Sequence, residues 1–330
     1  MSTTPLRTAM TPVTRQIRAY FAPVNRVSET PTVFDPGVSG AFPLNSAPAP
    51  WVDLGWIENF ARWYDTPMDM VRGGAKTLPT GQYRGALEAR VEFDFRQWGK
   101  LQMALAGGSE HMNVLAPMAG SLSPAPSGGA PAPAIAVLAG STSGELVLGP
   151  GADGAFPAGS LIAVDVDYEQ QVGYVGSGIA AAYVNDPAAV GHDPHYVRRV
   201  TFSVGRVAEV TATSIVLEQP LLGGAPAAGA SAQKVVAFVD REGGSFFQEW
   251  SALFVAQEES GGRVCFYYPR LSASKATGKT GREDFLEIAK PLSTISLRAS
   301  FLALPYVDGN DGQSVVCYRS YFPATMAAVY

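Results

Sequence analysis

Cysteine and long apolar runs are scarce in this sequence, and each scarcity excludes a class of protein. Two cysteines, Cys265 and Cys317, are too few for a disulfide framework or a cysteine-based metal site. No apolar run approaches the ~18 residues that span a bilayer, and residues 1–18 contain no apolar stretch of the kind found in secretory signals. We therefore expect a soluble protein without membrane segments, made in a reducing cytoplasm.

Histidine and the motifs of known catalytic sites are also rare. The three histidines are His111, His192 and His195, and no Gly-x-Ser-x-Gly motif accompanies them. Residues 273–280 (ASKATGKT) resemble a phosphate-binding loop with alanine in place of the first glycine, but residues 281–291 lack the length and apolar stripe of the helix that must follow. We expect no catalysis, no cofactor and no metal, and a nucleotide-binding enzyme remains the alternative.

Negative charge is concentrated in one part of the chain. The net charge is −5, and residues 120–245 alone hold eleven acidic and five basic side chains. Residues 1–28 carry four arginines and no acid. This distribution is typical neither of a basic nucleic-acid-binding protein nor of a uniformly acidic chain. The 35 glycines and 25 prolines indicate many turns and short strands.

Two segments alternate between apolar and polar residues, which predicts half-buried strands. The first is 87–95, where leucine, alanine, valine and two phenylalanines alternate with charged residues, and the second is 295–303. Residues 65–85, which precede the strand predicted over 87–95, are predicted to form a long loop or a loose hairpin. Trp98, Leu101 and Leu105 then have helical spacing, which predicts a helix over 97–106.

The strand signals divide the chain into an interrupted body and an insertion. We predict a mainly β protein in which 46–118 and 246–330 form a β-sandwich or barrel with one short packing helix. Residues 119–245 form an inserted, acidic, small β domain, because short β-like runs there are spaced about ten residues apart between low-complexity segments. Residues 1–45 are rich in proline, which predicts an extended N-terminal arm. Four aromatic residues of the arm predict an interface with another molecule: Tyr20, Phe21, Phe34 and Phe42.

The body segments resemble the tailed-phage major tail (tail tube) proteins. The resemblance covers about half of the chain and rests on the order and character of three segments. They are Pro50–Asn59 (PWVDLGWIEN), the strand–helix unit Leu87–Gly108, and Ile295–Tyr318 with its Asp-Gly turn.

The resemblance implies a β-sandwich flanked by a helix that assembles into hexameric rings. In that family, strands from six subunits close into a barrel around the DNA channel, and arms and long loops join successive rings. Residues 1–50 and 65–85 would then make contacts between subunits and between rings, while helix 97–106 braces the sheet. An acidic channel lets DNA slide without adhering. Glu88, Glu92 and Asp94 are the candidates for its wall, on a strand face shared with two arginines.

We therefore expect a structural virion protein, located in the phage tail and assembled in the host cytoplasm. Its partners would be further copies of itself, with the tape-measure protein and genomic DNA in the lumen. The inserted domain would decorate the outside of the tube and could meet the host surface. The alternatives within virion assembly are a capsid decoration, baseplate or tail-terminator protein.

Two truncations follow from this organisation. Deleting residues 1–40 should leave a folded subunit that does not polymerise, because the arm would lie outside the body. Deleting residues 120–245 should preserve tubes, because the insertion would be a separate domain.

Overall fold

The structure is a computed structural model that describes most of the chain. The residues described are 14–25, 28–40, 42–73, 78–85, 87–116, 118, 132–165, 181–182, 198–241, 248–259, 261–274, 286–287 and 296–323. The prediction of a mainly β protein is confirmed, and the strands form two large sheets.

The elements are short and mostly antiparallel. The strands are β1 (Thr14–Pro23), β2 (Val52–Asp65), β3 (Met68–Gly73), β4 (Leu78–Arg84), β5 (Glu88–Phe95), β6 (Glu110–Leu115), β7 (Ile135–Ala136), β8 (Glu145–Val147), β9 (Leu161–Asp165), β10 (Ala181–Ala182), β11 (Val204–Val210), β12 (Ser214–Leu217), β13 (Ser231–Arg241), β14 (Glu249–Glu258), β15 (Arg263–Ala273), β16 (Leu286–Glu287), β17 (Ser296–Ala303), β18 (Tyr306–Val307), β19 (Ser314–Val315) and β20 (Tyr318–Phe322). The helices are α1 (Pro36–Ser39), α2 (Lys100–Gly107) and α3 (Ala152–Ala155), and Arg198–Phe202 forms a short π-helix.

Six strands close into a barrel in the order β17–β5–β2–β1–β14–β15. The ring is completed where the end of β15 pairs with β17, in the register Leu271↔Ala303 to Ala273↔Phe301. The short strand β16 continues the sheet from β17, and β20 continues it from β15. Closure pairs the edges that an open sheet would leave exposed, so the body is a barrel rather than an open sandwich.

The barrel interior is filled with aromatic side chains. The alternation over 87–95 places Ala89, Val91, Phe93 and Phe95 inside, each at most 6% exposed, as the sequence pattern predicts. Phe93 stacks on Phe301 from β17, with ring centroids 5.8 Å apart, and meets Phe254 from β14 at 5.3 Å. Aromatic pairs at such distances add to the burial of apolar area. A barrel packed in this way has no channel of its own.

The extended arm was predicted over residues 1–45, and the structure corrects this prediction from Thr14 onward, residues 1–13 lying outside the described part of the chain. β1 lies in the middle of the barrel, paired with β14 from Thr14↔Glu258 to Pro23↔Trp250 and with β2 on its other side. Alternate residues of β1 face the barrel interior and an outer apolar layer, so both faces are buried. A strand buried on both faces reads as a continuous apolar run, without the alternation that signals a half-buried strand.

Helix α2 packs on the barrel strands β15 and β17. It begins three residues later than the predicted 97–106, because Gly99 is the N-cap and the Trp98 side chain is 59% exposed. Leu101 and Leu105 are buried as their spacing predicts. The helix ends where Gly108 adopts a left-handed conformation (φ 58°), which glycine reaches without a steric penalty.

The second sheet is a curled half-barrel that occupies the middle of the chain. Its strand order is β10–β6–β13–β9–β11–β12–β8, with β7 also paired to β13. Its first strand in the chain, β6, lies before the predicted bounds of 119–245, and β13 ends at Arg241. Much of its core is separate from that of the barrel and includes Leu146, Ile162 and Ile215. We call residues 110–241 the insertion.

Removing the insertion at its structural bounds is expected to leave a folded barrel. The chain leaves the barrel at Ser109 and returns at Gln248, and the Gln248 side-chain amide donates to the Ser109 carbonyl at 3.3 Å. A linker of a few glycines can therefore replace residues 110–247. We expect a cooperative thermal transition by circular dichroism. The deletion of 120–245 is expected to be less stable, because it leaves β6 without β13; equal or greater stability of that variant would contradict these bounds.

Candidate functional site

The four aromatic residues predicted to form an interface are buried within their own subunit. Tyr20 and Phe21 are fully buried, and Phe34 and Phe42 are at most 4% exposed. The Tyr20 hydroxyl donates to the Leu44 carbonyl at 2.8 Å, and the Tyr20 and Phe42 rings lie 4.7 Å apart. Burial raises the pKa of the Tyr20 hydroxyl. The structure therefore corrects their predicted role: they stabilise the subunit and are not presented to a neighbour.

The acidic residues Glu88, Glu92 and Asp94 lie on the outward face of β5. In the sheet, Asp94 lies between Arg298 of β17 on one side and Glu58 of β2 on the other. The Arg298 guanidinium donates to the Asp94 carboxylate at 3.1 Å. Ion pairs at such a surface contribute about 0–1 kcal/mol to stability. Their main effect here is therefore on the charge that the face presents.

This outer face carries a small excess of negative charge. We call it the charged face, and it comprises the outward side chains of β2, β5 and β17. Its acidic members are Asp53, Glu58, Asp65, Glu88, Glu92 and Asp94, and its basic members are Arg90 and Arg298. Arg96, which directly follows β5, donates to Glu58 of this face. Six carboxylates against these three guanidiniums leave a net negative surface.

A β-hairpin projects from the rim of the barrel. β2 and β5 pair as far as Asp65↔Glu88, and the chain continues into the β3–β4 pair, from Met68↔Arg84 to Gly73↔Leu78. The main contacts of β3 and β4 are with each other. Residues 65–85, predicted as a long loop or a loose hairpin, thus contain a two-stranded hairpin.

Large apolar side chains are exposed along this projection. We call the exposed apolar side chains on the hairpin and at its base the hairpin patch. Met68 and Met70 lie on β3, Trp63 and Tyr64 lie at the end of β2, and Leu87 directly precedes β5, each 41–73% exposed. An isolated two-stranded hairpin is at best marginally stable in water, and a cluster of exposed apolar side chains marks an interaction site. The hairpin patch is therefore the strongest candidate in the described residues for contact with another molecule.

A second, partly buried site lies where the insertion meets the barrel, and the sequence analysis did not find it. The Lys100 side chain at the start of α2 donates to the Asn113 side-chain oxygen at 2.7 Å and to the Val200 carbonyl, and it lies 4.4 Å from the centre of the Phe238 ring. Burial lowers the pKa of Lys100 to about 7. No local pattern could have shown this, because these residues are up to 138 positions apart in the chain.

His111 forms the other half of this buried site. Its Nδ1 accepts from the Gln248 side-chain amide at 3.2 Å, so Nε2 carries the proton and donates to the Thr201 hydroxyl. The Gln248 side-chain oxygen in turn accepts from the Trp250 indole at 3.1 Å. Burial, and secondarily the charge of Lys100, lowers the pKa of His111. The imidazole is therefore neutral at physiological pH.

The described residues supply little of what catalysis or metal binding requires. Among them, no group of three or more histidine, cysteine, aspartate or glutamate side chains is placed to hold a metal ion. Burial raises the pKa of the Cys265 thiol to about 12, which leaves it unreactive. Residues 275–280 of the loop that resembles a phosphate-binding loop lie outside the described residues. In the part of the chain that the structure describes, no helix has the length and apolar character needed to cross a bilayer.

Scanning the sequence against protein-family models matches no family, and searching the curated proteins finds no match either.

Proposed function

We propose that this chain is a structural subunit of a phage tail tube, which self-assembles into stacked hexameric rings around a DNA-conducting channel. The observation that carries the proposal is the hairpin patch, an apolar surface that projects from a closed barrel. A filled barrel is a rigid body, and a projecting hairpin with exposed apolar side chains gains stability when a neighbouring copy covers it.

The closed barrel changes how neighbouring subunits would join. An open sandwich could pair its edge strands with those of a neighbour, whereas each barrel strand here already has partners on both sides within the described chain. Contacts between copies would therefore depend on the hairpin patch and on side-chain packing between barrels. In this arrangement the channel lies between the subunits of a ring, since the barrel interior is filled.

The charged face suits the wall of such a channel. Its net negative charge would repel the phosphate backbone of genomic DNA and so prevent adhesion during passage. The same lumen would hold the tape-measure protein before DNA enters. The insertion, which contains eleven acidic and five basic residues, would lie on the outside of the tube, where it could meet the host surface.

Electron microscopy of the purified full-length chain tests the proposal. We expect hollow tubes or six-fold rings to form as the protein concentration is raised. Isolated rings that never stack would favour a tail-terminator or baseplate protein. A chain that stays monomeric at high concentration, and whose melting temperature rises with ATP and magnesium, would overturn the proposal in favour of a nucleotide-binding enzyme.

A further inference from the structure

The insertion contains a cavity of about 190 Å³ between the end of β9 and the loop that joins β12 to β13. Its polar side chains come from Asp165, the last residue of β9, and from Ser203, which directly precedes β11. Its apolar wall includes Val164, Leu221 and Ala230, each at most 5% exposed. Because one water takes up about 30 Å³ of the liquid, the cavity has room for a molecule of about six non-hydrogen atoms.

The loop on one side of this cavity carries no large side chain. From Gly223 to Gly229 it consists of glycine, alanine and one proline, and residues 223–227 line the cavity. Side chains of this kind supply neither a charge nor a hydrogen bond. The polar contacts that a ligand can make are therefore decided by the backbone, by Asp165 and by Ser203.

Most backbone donors of the cavity wall are already used within the insertion. Five lining residues donate their N–H groups to carbonyls of the insertion at 2.8–3.1 Å: Val164, Leu221, Gly223, Gly224 and Ala230. The lining residue Pro226 has no N–H to donate. By contrast, the Asp165 carboxylate and the Ser203 hydroxyl, which are 1% and 6% exposed, both have oxygens that accept. The cavity therefore offers a ligand mainly hydrogen-bond acceptors.

The charge of the cavity is negative. Among the described residues that line it, Asp165 is the one with an ionisable side chain. A carboxylate has about four acceptor positions, so the contact that Asp165 makes within the chain leaves positions for a ligand. The insertion as a whole contains eleven acidic and five basic residues, and this excess attracts cations. Charge and hydrogen-bonding capacity thus both favour a cationic donor.

We propose that this cavity binds a primary alkylammonium group, which donates to Asp165 and Ser203 while its short carbon chain packs on the apolar wall. An ammonium has three donors and no acceptor, which matches a cavity rich in acceptors. An anionic ligand would meet the Asp165 carboxylate with few backbone donors to hold it. The ammonium belongs either to a free amine or to a lysine side chain, whose chemistry is the same. The site lies within the insertion and does not depend on whether the barrels assemble into a tube.

Ligand-observed NMR on the full-length chain tests the site with n-butylamine as the probe. This amine is protonated at neutral pH, as the lysine side chain is, and salt at about 0.15 M screens its pairing with exposed acids. We expect saturable binding, and binding about 10- to 100-fold weaker for 1-butanol, which has a similar shape but no charge. The amide of Nα-acetyl-lysine distinguishes the two sources of the ammonium: if it also binds, a lysine side chain reaches the cavity, and if n-butylamine alone binds, the ligand is a free amine.

Variants of the two acceptors locate the binding. Asp165→Asn keeps the size of the side chain and is expected to weaken n-butylamine binding about 10- to 100-fold, and Ser203→Ala about 2- to 10-fold. Asp153→Asn, at an exposed acid of α3, is the matched control and should bind as the unaltered chain does. Circular dichroism shows whether each variant is folded, and if Asp165→Asn is not, Ser203→Ala and the 1-butanol comparison decide. Equal affinity for amine and alcohol, no saturable binding, or a folded Asp165→Asn variant that binds like the control would overturn the proposal.

Discussion

Deleting residues 1–40 is expected to abolish folding of the barrel. The deletion removes β1, which pairs with β14 and β2 across the barrel wall, and leaves both neighbours with unpaired backbone groups. It also removes Phe21, which packs against Phe254 and Phe301 with ring centroids 5.9 and 5.3 Å away. Losing one buried phenylalanine costs about 3–5 kcal/mol, and the free energy of unfolding of a protein is only about 5–15 kcal/mol. The loss of a whole central strand therefore exceeds the stability of the barrel.

Circular dichroism and thermal denaturation of the soluble fraction measure this loss. The matched control is deletion of residues 1–12, which keeps all of β1 and is expected to give a cooperative transition near that of the full chain. If the chain without residues 1–40 unfolds as cooperatively as the control, β1 is not part of the stable barrel and the fold described above is wrong.

Replacing the projecting hairpin with a tight turn is expected to abolish assembly while the barrel still folds. Asp65 and Glu88 face each other in the β2–β5 ladder, so an Asn-Gly pair can join them in place of residues 66–87. Burying a large apolar side chain contributes about 1.5–3 kcal/mol. The replaced segment contains Met68 and Met70, so two such contributions, at least about 3 kcal/mol together, are lost. Since each 1.4 kcal/mol is a factor of ten, we expect the concentration needed for assembly to rise by at least about 100-fold.

Sedimentation velocity and electron microscopy at matched concentrations measure the effect on assembly. Val38→Thr combined with Val307→Thr is the control, since these two side chains are also exposed but lie outside the hairpin. We expect the control to assemble as the unaltered chain does. Normal rings or tubes from the turn variant would show that Met68, Met70 and Leu87, the part of the hairpin patch that the variant removes, do not form the contact between copies.

Sequence reasoning worked best where a segment has one buried and one exposed face. The alternation in β5 and β17 and the leucine spacing in α2 each report local geometry, and the structure buries the residues that these patterns select. The charged residues of β5 likewise lie on one outward face. Their proposed role in a channel wall remains a prediction, because it concerns an assembly of several chains.

The wrong prediction for β1 and the segment that follows it has a specific physical cause. Proline, serine and threonine around β1 suggested an extended segment, and β1 is indeed extended. What the pattern could not show is that both of its faces are covered, one by the barrel interior and the other by Phe34, Phe42 and Trp51. Aromatic residues that looked like contacts to another molecule are contacts to distant parts of the same chain.

The amino-acid sequence by itself determined that the protein is mainly β, where its amphipathic strands lie and where its negative charge is concentrated. Those properties depend on residues close together in the chain, whose periodicity matches the geometry of a strand or a helix. The tertiary structure alone decided that the body closes into a barrel, that β1 is central, and that Lys100 and His111 both lie where the insertion meets the barrel. Each of these depends on pairing between segments far apart in the chain, which leaves no periodic trace in the sequence.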